Sequence, residues 1–129
     1  MATIRQRRGL RAEEMVAAHL VGAGWSVLAR NVRVGRDEID LLCIDPGPPA
    51  ELALVEVRSQ RHPGFGPPEW RVDRNKVSHL YRAMATLFAG ARVPGAGPLP
   101  RLPGRVDLVV LDDRGPKPVL RHLRRLLPP

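Results

Sequence analysis

Three features of the sequence predict an α/β protein with a mixed β-sheet flanked by helices. They are an apolar helical stripe near the N-terminus, a run of three strand-like segments punctuated by turn residues, and a second amphipathic helix followed by two more strands. The order is α-β-β-β-α-β-β. Ala12, Val16, Leu20 and Ala23 recur at helical spacing and predict a helix over 10–23, with Gly24 as its stop. Trp25 to Val34 reads as the first strand, closed by Gly35. Asp37 to Ile44 reads as the second, with Ile39, Leu41 and Cys43 on one face. Asp45-Pro-Gly-Pro-Pro-Ala50 is turn chemistry, and Leu52 to Arg58 follows as a third strand. After a Gly/Pro loop over Arg61 to Pro68, Asp73 is placed to N-cap a helix reaching about Ala89. Val77, Leu80, Tyr81, Met84, Leu87 and Phe88 form its apolar stripe. Arg92 to Gly104, rich in Pro and Gly, reads as a mobile loop. Arg105 to Leu111 is the fourth strand, Asp112-Asp-Arg-Gly115 a turn, and Val119 to Leu123 a short fifth strand. There is no internal repeat.

The 129 residues fit one compact domain, with residues 1–8 as a flexible basic N-terminus. Apolar stretches fall far short of a membrane span, and no apolar signal core follows the basic start, so a cytoplasmic protein without a membrane partner is expected. A lone cysteine, Cys43, excludes an internal disulfide and a cysteine-based zinc site. The 21 Lys and Arg residues against 13 acids leave a net charge of +8, and only Lys76 and Lys117 are lysine. A small domain this basic predicts a polyanionic partner, nucleic acid in the first place.

The chemistry is concentrated in the second and third strands. If Ile44 faces Leu52 across the turn, the antiparallel register puts Asp40 opposite Glu56 and Glu38 opposite Arg58. Directly opposed side chains have Cβ atoms about 4.5–5.5 Å apart. Two carboxylates that close repel each other, so one must hold a proton unless a cation lies between them. Oxygen ligands at such a spacing suit Mg²⁺. The plain alternative for either acid alone is a salt bridge or an edge-strand surface acid. For Arg58 it is an ion pair with Glu38; otherwise Arg58, two residues from Glu56, can hold a phosphate or the attacking water.

The ordered pattern Glu38-Ile-Asp-Leu41, Leu54-Val-Glu-Val-Arg58, Phe65-Gly66, Lys76 and Arg105-Val-Asp107 resembles the YraN-like family of small bacterial proteins. Gly9-Leu-Arg-Ala-Glu13 and the Arg30-Asn31-Val-Arg33 stretch match it too. The family is similar to the restriction-endonuclease superfamily and to Holliday-junction resolvases. The resemblance implies a restriction-endonuclease-like core, with Asp40 and Glu56 as the ligands of Mg²⁺ or Mn²⁺ and Glu13 as a helix acid acting through water. It implies a structure-selective DNA endonuclease, with a homodimer by analogy to resolvases. Arg58 stands where the family usually has lysine. Arginine supplies a planar fork but neither a compact charge nor a readily lost proton. The alternative is therefore a nucleic-acid-binding or protein-interaction scaffold that does not cut, unless Lys76 replaces the missing lysine.

Arg33, Arg71, Arg74 and Lys76 are the candidate phosphate contacts, joined by Arg82 on the second helix and by Arg5, Arg7, Arg8 and Arg11. Phe65 and Trp70 are expected to cap the core. His19, His62, His79 and His122 show no metal spacing and read as surface residues. Asp107 reads as the partner of a nearby arginine, and Arg121-His-Leu-Arg-Arg125 as a surface basic patch.

Overall fold

A computed structural model of the protein describes residues 3–60 and 73–129. Its centre is a hairpin of β2 (Asp37–Asp45) and β3 (Glu51–Gln60), whose ladder pairs Ile44 with Leu52 and Leu41 with Val55. This is the register expected from the turn sequence. β1 (Ser26–Val34) lies antiparallel on the outer side of β2, with a bulge between Val27 and Ala29. On the other side β6 (Gly104–Asp112) runs parallel to β3 over its whole length, and β7 (Val119–Leu123) closes the sheet antiparallel to β6. The sheet order is thus β1-β2-β3-β6-β7, a mixed five-stranded sheet. The two parallel strands, β3 and β6, carry the continuous buried runs Leu52–Val55 and Val106–Leu111, as strands covered on both faces do.

The coverings are the helices α1 (Ile4–Gly22) and α2 (Arg74–Gly90). Val16, Ala17 and Leu20 of α1 pack on Leu41, Cys43, Ala53, Val55 and Val109. Leu80, Ala83 and Leu87 of α2 pack on Leu42, Leu54 and Val106. Because neighbouring strand residues point to opposite faces, the two helices lie on opposite sides of the sheet. Gly104 leaves room for the side chains of α2: a β-carbon there would displace Met84 Sδ and the Phe88 ring. None of the described helices is long and apolar enough to cross a membrane.

Two boundaries differ from the sequence reading. α1 begins at Ile4, six residues before position 10, so Arg7 also stands on the helix. Thr3 and Gln6 form a reciprocal capping box that starts it. The early turns escaped the periodicity because Ile4 and Leu10 are exposed and the first buried residue is Ala12. The Pro/Gly segment 92–104 contains a small hairpin of β4 (Arg92–Val93) and β5 (Gly97–Pro98), anchored by buried Val93 and by Leu99 N–H donating to Ala91 O at 2.9 Å. The predicted loop over 61–68, with Phe65, Trp70 and Arg71, lies outside the described residues.

At its turn end the hairpin carries a second pair of opposed acids, Asp45 and Glu51. Arg105 NH1 binds both, at 2.8 and 3.2 Å, while its Nε and NH2 reach Asp107 at 3.0 Å. Asp107 is fully buried, as a partner of arginine should be. It also meets His122 Nε2 at 2.8 Å and accepts the Arg125 N–H at 3.1 Å. His122, expected on the surface, is therefore half-buried against Asp107 and tilted on the Trp25 ring. The terminal basic run is likewise partly committed: Arg124 reaches Asp45 at 3.3 Å and Arg125 binds Glu51. The three arginines balance three carboxylates, and Asp45, Glu51 and Asp107 are all held below the usual carboxylate range by these partners and hydrogen bonds, against the opposing effect of burial. Beyond Arg125, which adopts a left-handed backbone, Leu126 donates its N–H to Val106 O at 2.8 Å and accepts from the Tyr81 hydroxyl of α2.

Candidate active site

The opposite end of the same hairpin is built differently. The β2–β3 ladder stops at Leu41–Val55, one position short of Asp40 and Glu56. There Asp40 Oδ2 accepts the backbone N–H of Val57 at 2.9 Å, so a side chain takes the place of the next strand-to-strand contact. The Asp40 and Glu56 carboxyls hydrogen-bond to each other. Burial, then the neighbouring Asp40 charge, pushes the Glu56 carboxyl up to about 8. Asp40 is also raised, by burial in the first place, despite the Val57 N–H that favours its ionised form. The two acids thus lie together just beyond the end of the ladder, with Asp40 reaching to one side to hold β3.

α2 brings in Lys76, whose Nζ lies 3.6 Å from Glu56 Oε2. Asp73 caps the helix by accepting the Asn75 N–H at 2.9 Å, which makes Lys76 the third helical residue and sets it over the end of β3. Glu56, Arg58, Asp73, Lys76, Val77, Leu80, Leu108 and Leu126 surround a cavity of about 10 Å³. That is at the lower limit for one water molecule. The sequence marked Lys76 as the one lysine able to serve the site; the fold carries it there.

From α1, half-buried Glu13 hydrogen-bonds with Asn31 and feels the charges of Asp40 and Glu38, with burial as the main cause of its raised pKa. Asn31 was not singled out as a site residue. Its signal is conformational: it has a positive φ of 47°, which asparagine tolerates better than most residues, between the pairs Arg30–Leu41 and Val32–Ile39. Glu38 is exposed and faces Arg33 of β1 in the register. Its expected partnership with Arg58 does not follow from the ladder, which ends before that pair. Arg74, the first residue of α2, is exposed. Arg82 is engaged elsewhere, in a two-pronged ion pair with Asp37 at 2.8 and 2.5 Å.

Whether these residues suit a divalent cation turns on Glu56 Oε2, a buried oxygen with no hydrogen-bond partner. A buried acceptor without a donor is costly, and a second carboxyl beside it adds repulsion. A cation relieves both. Among the described residues no three His, Cys, Asp or Glu side chains converge as a ready cage. The pair therefore fits Mg²⁺ or Mn²⁺ held by two carboxylates and several waters, the habit of Mg²⁺, and does not fit a fully protein-ligated ion.

The fold and the site define an α/β protein whose mixed five-stranded sheet, flanked by two helices, presents a half-buried acid pair at the open end of its central hairpin. The chain belongs to the uncharacterised protein family UPF0102, whose model matches residues 12–111 and so takes in Glu13, Asp40, Glu56 and Lys76. It is 44% identical over 90 residues to a UPF0102 protein of Halorhodospira halophila, covering 70% of each chain. It is 37% identical over 123 residues to one from Clavibacter michiganensis, covering 95% of this chain and 97% of the relative. A UPF0102 protein of Dehalococcoides mccartyi is 31% identical over 127 residues, 98% of each.

Proposed function

We propose that the protein is a nucleic-acid-binding protein of the restriction-endonuclease-like class and acts as a Mg²⁺-dependent, structure-selective DNA endonuclease. The observation that carries this reading is the Asp40–Glu56 pair, two half-buried carboxyls with one buried oxygen that has no hydrogen-bond partner, in a chain of net charge +8. Asp40 and Glu56 hold the cation, and the Val57 N–H fixes the Asp40 carboxylate in place. When bound, Mg²⁺ supplies positive charge where the transition state gathers negative charge and makes water more acidic. Glu13, kept near Asp40 by Asn31, acts through water. Arg58, at the edge of the same cavity, steadies charge on the phosphate. In the reaction, the oxygen of water bonds to phosphorus and the P–O3′ bond breaks. Its electron pair stays on O3′, which takes a proton from solvent as the attacking water gives one up. Arg33, Arg71 and Arg74 track the backbone of the DNA. A homodimer would present two sites to a branched substrate in the cytosol.

A second reading, binding without cutting, draws on Arg58 in the place where the resemblance leads one to expect lysine. One assay decides. Wild type and Asp40→Asn are given single-stranded, duplex, flap and four-way-junction DNA with Mg²⁺, Mn²⁺ or EDTA. Cutting by wild type, lost in EDTA and reduced at least about 100-fold in Asp40→Asn, is the expected result. Salt-sensitive binding without cutting would select the second reading. Neither binding nor cutting would overturn both.

A further inference from the structure

We propose that Lys76 is the working lysine of this site: α2, and not the strand that bears Glu56, delivers the ammonium group that stands against the acid pair. The assignment rests on the reading of Asp40 and Glu56 as a cation site.

Three independent observations lead to it. Geometry is the first. Lys76 Nζ stands 3.6 Å from Glu56 Oε2, a buried oxygen with no hydrogen-bond partner. Position within the helix is the second. Lys76 is the third residue of α2, after Arg74 and Asn75, and the first turn contains no acid. The N-terminal end of a helix is the positive end of its dipole, where a cation is locally unfavourable and an acid is preferred. The N-cap Asp73 offsets part of this cost, and Glu56, facing Lys76 from β3, adds a compensation from outside the helix. The third is space. The cavity bounded by Glu56, Arg58 and Lys76 has about 10 Å³ of room. This admits one oxygen-sized species and excludes a sugar or a base. A lysine on this wall therefore meets a single oxygen beside Glu56, with three N–H donors that rotate to suit it.

The ammonium has two consequences that part company on mutation. It competes with a metal ion for Glu56, and it steadies the oxygen that reacts. Lys76→Ala should thus bind Mn²⁺ more tightly, by about tenfold. It should also cut at least about 100-fold more slowly, the usual effect of removing one donor to a developing charge. A lysine with a purely structural role would not improve metal binding when removed. The experiment is Mn²⁺ titration calorimetry and four-way-junction cleavage on the full chain as wild type, Lys76→Ala, Lys76→Arg, and Lys76→Ala with Arg58→Lys. Slower cutting with tighter Mn²⁺ binding in Lys76→Ala, and recovery when Arg58→Lys restores a lysine from β3, is the expected pattern. Lys76→Arg, which keeps the charge on a different shape, should fall between. Cutting by Lys76→Ala within threefold of wild type would overturn the assignment and leave the acid pair standing. Wild type that neither binds Mn²⁺ nor cuts would overturn the acid-pair reading, and the assignment with it.

Discussion

One hairpin carries two pairs of acids, and their surroundings are opposite. Asp45 and Glu51, beside the turn, share Arg105 and draw in Arg124 and Arg125, so both carboxyls are held below their ordinary range. At the open end Glu56 meets Lys76 at 3.6 Å, Asp40 accepts one backbone N–H, and both carboxyls are raised. The difference teaches that a pair of facing carboxylates is not itself a site. What matters is whether the chain has already supplied the balancing cations. In a protein with 21 basic residues, the acids left undercompensated are the informative ones.

The sharpest way to break this comparison is to strip the balanced end of its cation. Arg105→Met should leave Asp45, Glu51 and buried Asp107 short of a shared partner and cost about 3–5 kcal/mol of stability, read by urea unfolding. Next in size is the dependence on pH. Glu56 is raised in the folded state, so that state keeps a proton the unfolded chain loses above its ordinary pKa of 4.5. The resulting stability is fully present below about pH 4.5 and is lost as pH rises towards about 8. Thermal melts in EDTA should show this decline, and Glu56→Gln should flatten it. At the balanced end the sign reverses: the lowered carboxyls contribute stability above their ordinary range that disappears as acid protonates them. A wild-type profile that stays level between pH 5 and 8 would break the contrast. The smallest expected effect is that of Asp40→Asn. The amide oxygen can still accept from Val57 N–H and the repulsion on Glu56 is gone, so stability should change by no more than about 1 kcal/mol, in the favourable direction. A large loss would make Asp40 a structural acid like Asp107.

Much of this was legible in the sequence because it is local. The hairpin register follows from the Asp45–Ala50 turn and the alternation on either side of it, and the meeting of Asp40 with Glu56 follows from the register. The rest depended on distant chain. Nothing near His122 announces Asp107, since β7 and β6 come together through the sheet. The partner of Arg82, Asp37, lies on another element altogether. The reach of Lys76 depends on where Asp73 starts α2 and on the room that Gly104 leaves for the side chains of that helix. The side-on contact of Asp40 with Val57 N–H has no sequence signature, because a ladder that stops one position early looks, in sequence, like one that continues.

The parallel pairing of β3 with β6 sets an order of events during folding. Its partners are as far apart as Leu52 and Gly104, with α2 in the intervening chain, whereas the β2–β3 hairpin closes over a short turn. Distant contacts incur their loop-closure entropy before they return any stabilisation and so form late. The two acids are therefore brought together early, by local chain, while the lysine must wait for the crossover to dock. The acid pair is thus a product of local chain, and its lysine a product of the long-range crossover.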